Sequence, residues 1–105
     1  MPITRYDILY EGFFNPNERK GYVRLVSNRE LHDIAQTAMN TFPISKPNGR
    51  VVIQFPDDPI GHNQKVSAIY SGARKAVNEN LVLRLKSSKK PFDFSGYFSV
   101  QVSHR

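Results

Sequence analysis

The stretch LVLRLK, at residues 81–86, alternates between leucine and other side chains. Every second residue is leucine, and the residues between and after the leucines are Val82, Arg84 and Lys86. Alternation with a period of two is typical of a strand that buries one face. The stretch YFSVQVS, at residues 97–103, alternates in the same way. The two stretches, joined by SSKKPFDFSG at 87–96, predict a C-terminal β-hairpin with a long connection.

The connection of this predicted hairpin carries two lysines, Lys89 and Lys90, followed by two phenylalanines, Phe92 and Phe94. Neighbouring phenylalanines that are exposed to water favour aggregation. We therefore expect at least one ring to cover the end of the core, and we expect the two lysines to face a partner.

Two further strands are predicted near the N-terminus. ITRYDILY, at residues 3–10, places Tyr6, Ile8 and Tyr10 on one side at a period of two. YVRLV, at residues 22–26, is a second short strand. The segment between them is rich in turn-forming residues, so the two strands are predicted to pair as a hairpin.

Two helices are predicted in the middle of the chain. SNRE, at 27–30, matches a capping box and predicts a helix that ends at Phe42, before a proline. A loop over PISKPNGR follows, and then RVVIQF, at 50–55, predicts a strand buried on both faces. The second helix is predicted from Asn63 to about Glu79. Gly72, in its middle, either allows close approach of another segment or is a tolerated defect.

These elements predict a single α+β domain with the order β-β-α-β-α-β-β, in which two helices pack on a mixed or antiparallel sheet. A length of 105 residues suits one core. No apolar run approaches the roughly 20 residues that a bilayer requires, so no membrane contact is predicted. The N-terminus lacks the pattern of an export signal, which favours a cytoplasmic location. The absence of cysteine excludes thiolate chemistry.

The net charge of +6 is distributed unevenly along the chain. Residues 1–62 hold seven cations and seven acids, whereas residues 63–105 hold eight cations and two acids. Charge asymmetry of this kind indicates a polyanionic partner. A basic surface that only keeps the protein in solution is the alternative.

The second predicted helix and the predicted C-terminal hairpin form the candidate contact surface. The helix places small polar and basic side chains on the face away from its apolar stripe, and the hairpin adds basic residues and one aromatic ring. The candidates are Lys65, Ser67, Ser71, Arg74, Lys75, Asn78, Arg84, Lys86, Lys89, Lys90 and Tyr97. Serine and asparagine can donate to phosphates or base edges, arginine can bind guanine in a bidentate manner, and tyrosine can stack on a base.

The sequence therefore predicts a small non-enzymatic nucleic-acid-binding protein, with DNA slightly preferred over RNA. It contains no glycine-rich phosphate loop, no nucleophile elbow and no familiar metal-ligand spacing, so no cofactor is predicted. A terminal strand also offers an edge through which a homodimer could form.

Two other hypotheses remain open. One is a protein–protein interaction or inhibitory module, such as a small phage- or plasmid-encoded factor, because Phe13, Phe14, Phe92 and Phe94 lie near predicted turns. The other is a metal-dependent nuclease, since the segment PDDPIGH places two carboxylates, Asp57 and Asp58, near His62. Adjacent carboxylates point in different directions and Asp-Pro is a common turn sequence, so a structural turn is the preferred interpretation of this segment.

Overall fold

The computed structural model describes residues 3–26, 41–55 and 64–103. In these residues five antiparallel strands form one sheet, and one α-helix packs against it. The elements are β1 (Ile3–Asn15), β2 (Lys20–Val26), β3 (Phe42–Ser45), β4 (Val52–Ile53), α1 (Gln64–Ser87) and β5 (Phe92–Ser103). The strands lie side by side in the order β4-β3-β2-β1-β5, so β4 and β5 are the edge strands.

Strand β1 organises the sheet because it pairs along most of its length on both sides. Residues 3–14 pair with residues 103–92 of β5, and residues 9–15 pair with residues 26–20 of β2. The predicted hairpin of the first two strands is confirmed, and both strands are longer than their alternation indicates.

The core lies between α1 and one face of the sheet. Tyr6, Ile8 and Tyr10 are buried on that face, as their alternation predicts. From the helix, the buried side chains are Ile69, Tyr70, Ala73, Val77 and Leu81. The apolar stripe predicted for the second helix is therefore confirmed for its described members, and it extends one turn further.

Gly72 allows α1 to approach β5 closely. A Cβ atom at this position would lie 2.7 Å from Val100 Cγ1 and 3.0 Å from the ring of Phe98. Both distances are shorter than van der Waals contact. Of the two interpretations of Gly72, close approach is the one that is confirmed.

The predicted strand at 81–86 is wrong, because α1 continues through this segment to Ser87. Leu81 is fully buried, but Val82 is 45% exposed and Leu83 is 69% exposed, which is the pattern of a helix. No glycine or proline lies between Gly72 and Pro91, and leucine, arginine and lysine are strong helix formers. Continuity with the preceding turns therefore outweighs a period of two over six residues.

The predicted C-terminal hairpin is consequently wrong as well. Strand β5 begins at Phe92 and pairs with β1, and the connection from α1 is reduced to residues 88–91. Phe94 is 3% exposed, and Phe92 is partly buried with its ring centroid 6.3 Å from that of Phe14. The expectation that at least one ring covers the core is confirmed, although both residues lie in a strand rather than in a loop.

The predicted loop after Phe42 contains strand β3, which pairs with β2 on one side and β4 on the other. Asn48 and Gly49 have φ values of 52° and 79°, and the Arg50 N–H donates to the Pro47 carbonyl at 2.9 Å. This is the geometry of a type I′ turn, which Asn-Gly favours. The strand predicted over 50–55 is limited to two residues at the sheet edge, with Val52 41% exposed, so burial on both faces is wrong.

The predicted order β-β-α-β-α-β-β is wrong, since the described elements run β1-β2, then β3-β4, then α1-β5. The α+β class and the antiparallel pairing agree with the prediction. Most of the first predicted helix, residues 27–40, lies outside the described residues, and Phe42 belongs to β3. Asp57, Asp58 and His62 also lie outside them. In the described part of the chain, no helix has the length and apolar character needed to cross a membrane.

Candidate functional site

Three connections meet at one end of the sheet. They are the β1–β2 turn at 16–19, the β3–β4 turn at 46–51 and the α1–β5 connection at 88–91. The register requires this, because Asn15 pairs with Lys20, Lys20 pairs with Ser45, and Phe14 pairs with Phe92. Strands β1 and β3 therefore end at the same level where β5 begins.

Hydrogen bonds order these connections. The Lys46 N–H donates to the Arg19 carbonyl at 3.1 Å and so links the first two turns. The Asn15 side-chain carbonyl accepts from the amides of Asn17 and Glu18 at 3.0 and 3.3 Å. In the third connection, the Ser88 hydroxyl donates to the Lys90 carbonyl at 3.1 Å. The backbone at this end of the sheet is thus held in place by its own contacts.

These connections and their flanking residues carry a cluster of cations, which we call the basic pole. Its members are Arg19, Lys20, Lys46, Arg50, Lys86, Lys89 and Lys90. Six of them are exposed and Lys46 is half-buried. The acids nearest in sequence are Glu18 and Asp93. Within residues 3–26, 41–55 and 64–103, the ion pairs are Arg5–Asp7 and Arg24–Glu11, so no described carboxylate forms an ion pair with a member of the pole.

A groove of about 560 Å³ opens between the β3–β4 turn and the last turns of α1. Three cations of the basic pole line it, namely Lys46, Arg50 and Lys86. Its apolar lining comes from Val51, Val82 and Leu85. Asn78 also lines the groove, and its side-chain oxygen is buried without a hydrogen-bond partner. The groove contains no acidic side chain and is therefore suited to an anionic group.

The structure brings together only part of the set predicted from the sequence. Lys86, Lys89 and Lys90 belong to the basic pole, and Asn78 reaches the adjoining groove. Arg84 does not join them. Its guanidinium donates to the Asp93 carbonyl at 3.0 Å and lies 5.8 Å from the centroid of the Phe92 ring. Arg84 therefore supports the start of β5 from the helix.

The remaining predicted residues lie elsewhere. Ser67, Ser71, Arg74 and Lys75 are exposed on α1, roughly 16–28 Å along the helix axis from Lys86. The Arg74 guanidinium lies 5.8 Å from the centroid of the Phe55 ring. Lys65 belongs to the first turn of the helix. Tyr97 is 69% exposed and points away from the helix, because its neighbours Phe98 and Gly96 face the core side.

Sequence reasoning missed four members of the pole: Arg19, Lys20, Lys46 and Arg50. They belong to residues 1–62, in which the formal charges cancel, so the net charge of each half of the chain did not point to them. The Asn48-Gly49 pair was the available signal, since it predicts a hairpin turn with Lys46 and Arg50 on its two sides.

The aromatic residues named for a protein-binding surface are mostly covered. Phe14 and Phe94 are 0% and 3% exposed, and Phe13 and Phe92 are half-buried. Phe14, Phe92 and Phe94 therefore stabilise the sheet and its contact with the helix, whereas Phe13 lies on the opposite face and packs against Tyr22.

A second groove, of about 690 Å³, lies near the start of β5 and has mixed charge. Its lining includes Glu11, Arg24, Asn80, Arg84 and Asp93. Arg24 is paired with Glu11, and the Asn80 amide donates to the Ser95 carbonyl at 2.9 Å. Several of its polar groups are already paired with one another, so this groove is the weaker candidate for a binding site. Over the described ranges, no cluster of three or more histidine or acidic side chains could hold a metal ion.

Comparisons with protein-family models, with curated proteins and with solved structures found no match to this chain.

Proposed function

We propose that the protein binds nucleic acid through the basic pole, as a non-enzymatic factor with a preference for duplex DNA over RNA. The observation that supports this most is the convergence of seven cations, unpaired by any described carboxylate, on three connections and their flanking residues at one end of the sheet. Lysine and arginine side chains bind phosphates by releasing condensed counterions, and an ordered backbone gives such contacts a fixed spacing.

The chemistry of the pole favours a duplex over a single strand. Recognition of unpaired bases depends on exposed aromatic rings on which the bases stack. The three connections, at 16–19, 46–51 and 88–91, contain no aromatic residue. Tyr97, the exposed ring that is predicted to stack on a base, lies roughly 17 Å along β5 from Phe92 and faces away from the helix. The pole is therefore suited to the phosphate backbone.

Fluorescence anisotropy with a labelled duplex of about 20 base pairs, titrated between about 50 and 200 mM salt, tests the proposal. If five cations meet phosphates, the slope of log K against log[salt] should be near −4.5. The double variant Arg50→Gln/Lys86→Gln removes two cations that line one groove. We expect its slope to be less negative by about 1.8 and its affinity near 0.1 M salt to fall roughly 10- to 60-fold.

The matched control is Arg5→Gln/Arg24→Gln, which removes the same formal charge from outside the pole. Both arginines pair with exposed carboxylates, so their loss should change stability little and affinity less than threefold by our expectation. Duplex RNA and single-stranded DNA of equal length serve as competitors. Absence of binding at low salt would refute the proposal. An equal loss in both double variants would show that net charge, not the pole, determines the affinity.

A further inference from the structure

We propose that the protein forms a two-fold symmetric homodimer by antiparallel pairing of the outer edge of β5 over residues 97–101. The sheet has two edge strands, β4 and β5, and β5 is much the longer. At the other edge, β4 is only two residues long, which limits pairing with another chain. Strand β5 is 12 residues long, and it offers a row of backbone groups along the side opposite to β1.

Helix α1 caps one part of this edge, and the described residues leave the rest of it open. The carbonyls of Asp93 and Ser95 accept from Arg84 and Asn80 at 3.0 and 2.9 Å, so both carbonyls point outward from the sheet. Outward-pointing residues recur at every second position of a strand, which assigns Tyr97, Ser99 and Gln101 to the same edge. In the described residues no donor or acceptor meets their backbone on that side.

The open segment lacks the features that normally prevent edge pairing. Residues 96–103 contain no charged residue and no proline, although the chain as a whole carries a net charge of +6. The side chains of Tyr97, Ser99 and Gln101 are exposed on one face, whereas Phe98 and Val102 are 8% exposed on the other. A partner strand that matches this pattern must also be uncharged and alternating.

A second copy of the same segment meets these requirements. With the two-fold axis at Ser99, Tyr97 pairs with Gln101 of the second copy, and Ser99 pairs with its own equivalent. In this register the capped Ser95 lies opposite Ser103 of the second copy, just outside the paired segment, so the Asn80 contact and the pairing are compatible. The polar side chains of both copies then lie on the face of the sheet away from the helix. Phe98 lies opposite Val100 of the second copy on the helix face. Roughly six backbone hydrogen bonds join the two copies.

Light scattering coupled to size exclusion, at about 100 µM chain, tests the dimer and its register together. The wild type should have about twice the chain mass of 12.0 kDa. Tyr97→Lys/Gln101→Lys places like charges opposite each other and should give the monomer mass. Tyr97→Lys/Gln101→Glu places opposite charges at the same two pairs and should keep the dimer mass. Circular dichroism of each variant establishes that it is folded.

Tyr22→Lys is the matched control, because Tyr22 is 45% exposed on β2 and lies away from the β5 edge. This variant should remain dimeric. A wild type of monomer mass would overturn the proposal, as would a dimeric double-lysine variant. A monomeric lysine–glutamate variant would overturn the register centred on Ser99. The measured mass does not depend on nucleic-acid binding, since residues 97–101 lie roughly 17 Å or more along β5 from the end of the strand at the basic pole.

Discussion

Residues 81–86 and residues 97–103 have the same alternating pattern, yet the first is a helix and the second is a strand. In the first, Leu81 is buried while Leu83 is 69% exposed. In the second, residues 98, 100 and 102 are buried or half-buried and the residues between them are exposed, which is the alternation of a strand. A period of two over six or seven residues therefore does not determine the conformation.

What separates the two segments is their surroundings in the chain. The first continues a helix that has already formed several turns, so each added residue gains a hydrogen bond without a new nucleation cost. The second follows Pro91, is rich in valine and aromatic residues, and finds β1 as a partner along its whole length. The difference also separates two cations, since Arg84 turns toward β5 and Lys86 lines the groove beside the basic pole.

The sharpest test of this comparison is a pair of leucine truncations. Leu81→Ala should lower the free energy of unfolding by about 2–5 kcal/mol, because it leaves a cavity under the helix. Leu83→Ala should change it by no more than about 0.5 kcal/mol, because that side chain is largely in water. Urea denaturation followed by circular dichroism measures both. Similar losses in the two variants would contradict the helix and favour a strand that buries both leucines.

The parts of the fold that sequence predicted correctly are those where pattern and surroundings agree. Alternation in β1 lies beside a turn-rich segment, and the stripe of Ile69, Tyr70, Ala73 and Val77 lies in a long segment with only one glycine. The predictions failed where a short pattern suited two structures, as at 81–86. They also failed where a turn signal, Asn48-Gly49, was included in a loop.

The candidate site shows a different limit. The excess of cations in residues 63–105 predicts a polyanionic partner, and this stays a prediction that depends on charge distribution along the chain. The position of the cations depends on topology, because Arg19, Lys46 and Lys89 lie on separate connections that only strand register brings to one end. No local pattern contains that information. The four missed cations lie on two local turns, and the pairing of β2 with β3 and of β1 with β5 brings those turns beside the predicted lysines.

A second test concerns the contact between α1 and β5, the elements to which the two compared segments belong. Gly72→Ile should lower the free energy of unfolding by about 1–3 kcal/mol, since even a Cβ would lie 2.7 Å from Val100 Cγ1. Ser71→Ile is the matched control, because Ser71 is exposed one residue earlier on the same helix. It should change stability by about 0.5 kcal/mol or less in urea denaturation. Isoleucine has a higher helix propensity than glycine, so helix propensity cannot cause this loss. Equal effects in the two variants would contradict the close approach of α1 to β5.

The smallest expected effect on stability concerns the face of β5 away from the helix, where Ser99 lies opposite Asp7 of β1. The hydrogen bond from the Ser99 hydroxyl lowers the pKa of the Asp7 carboxyl below its ordinary value. Desolvation opposes this shift, and the hydrogen bond and charge of Arg5 add to it. A lowered pKa in the folded state means that Asp7 contributes stability above its unfolded pKa of about 4, and that this contribution is lost as the pH falls through the folded value.

Titration of the Asp7 side chain by NMR checks this. In Ser99→Ala the pKa of Asp7 should move back up toward its ordinary value, because the main cause of the shift is removed. Ser95→Ala, which changes another exposed serine of β5, should leave the pKa of Asp7 unchanged. Because Asp7 is largely exposed, the accompanying change in stability should be close to the limit of detection. An unchanged pKa in Ser99→Ala would mean that Ser99 and Asp7 do not share one face of the sheet, as the alternation of 97–103 requires, and would weaken the contrast with 81–86.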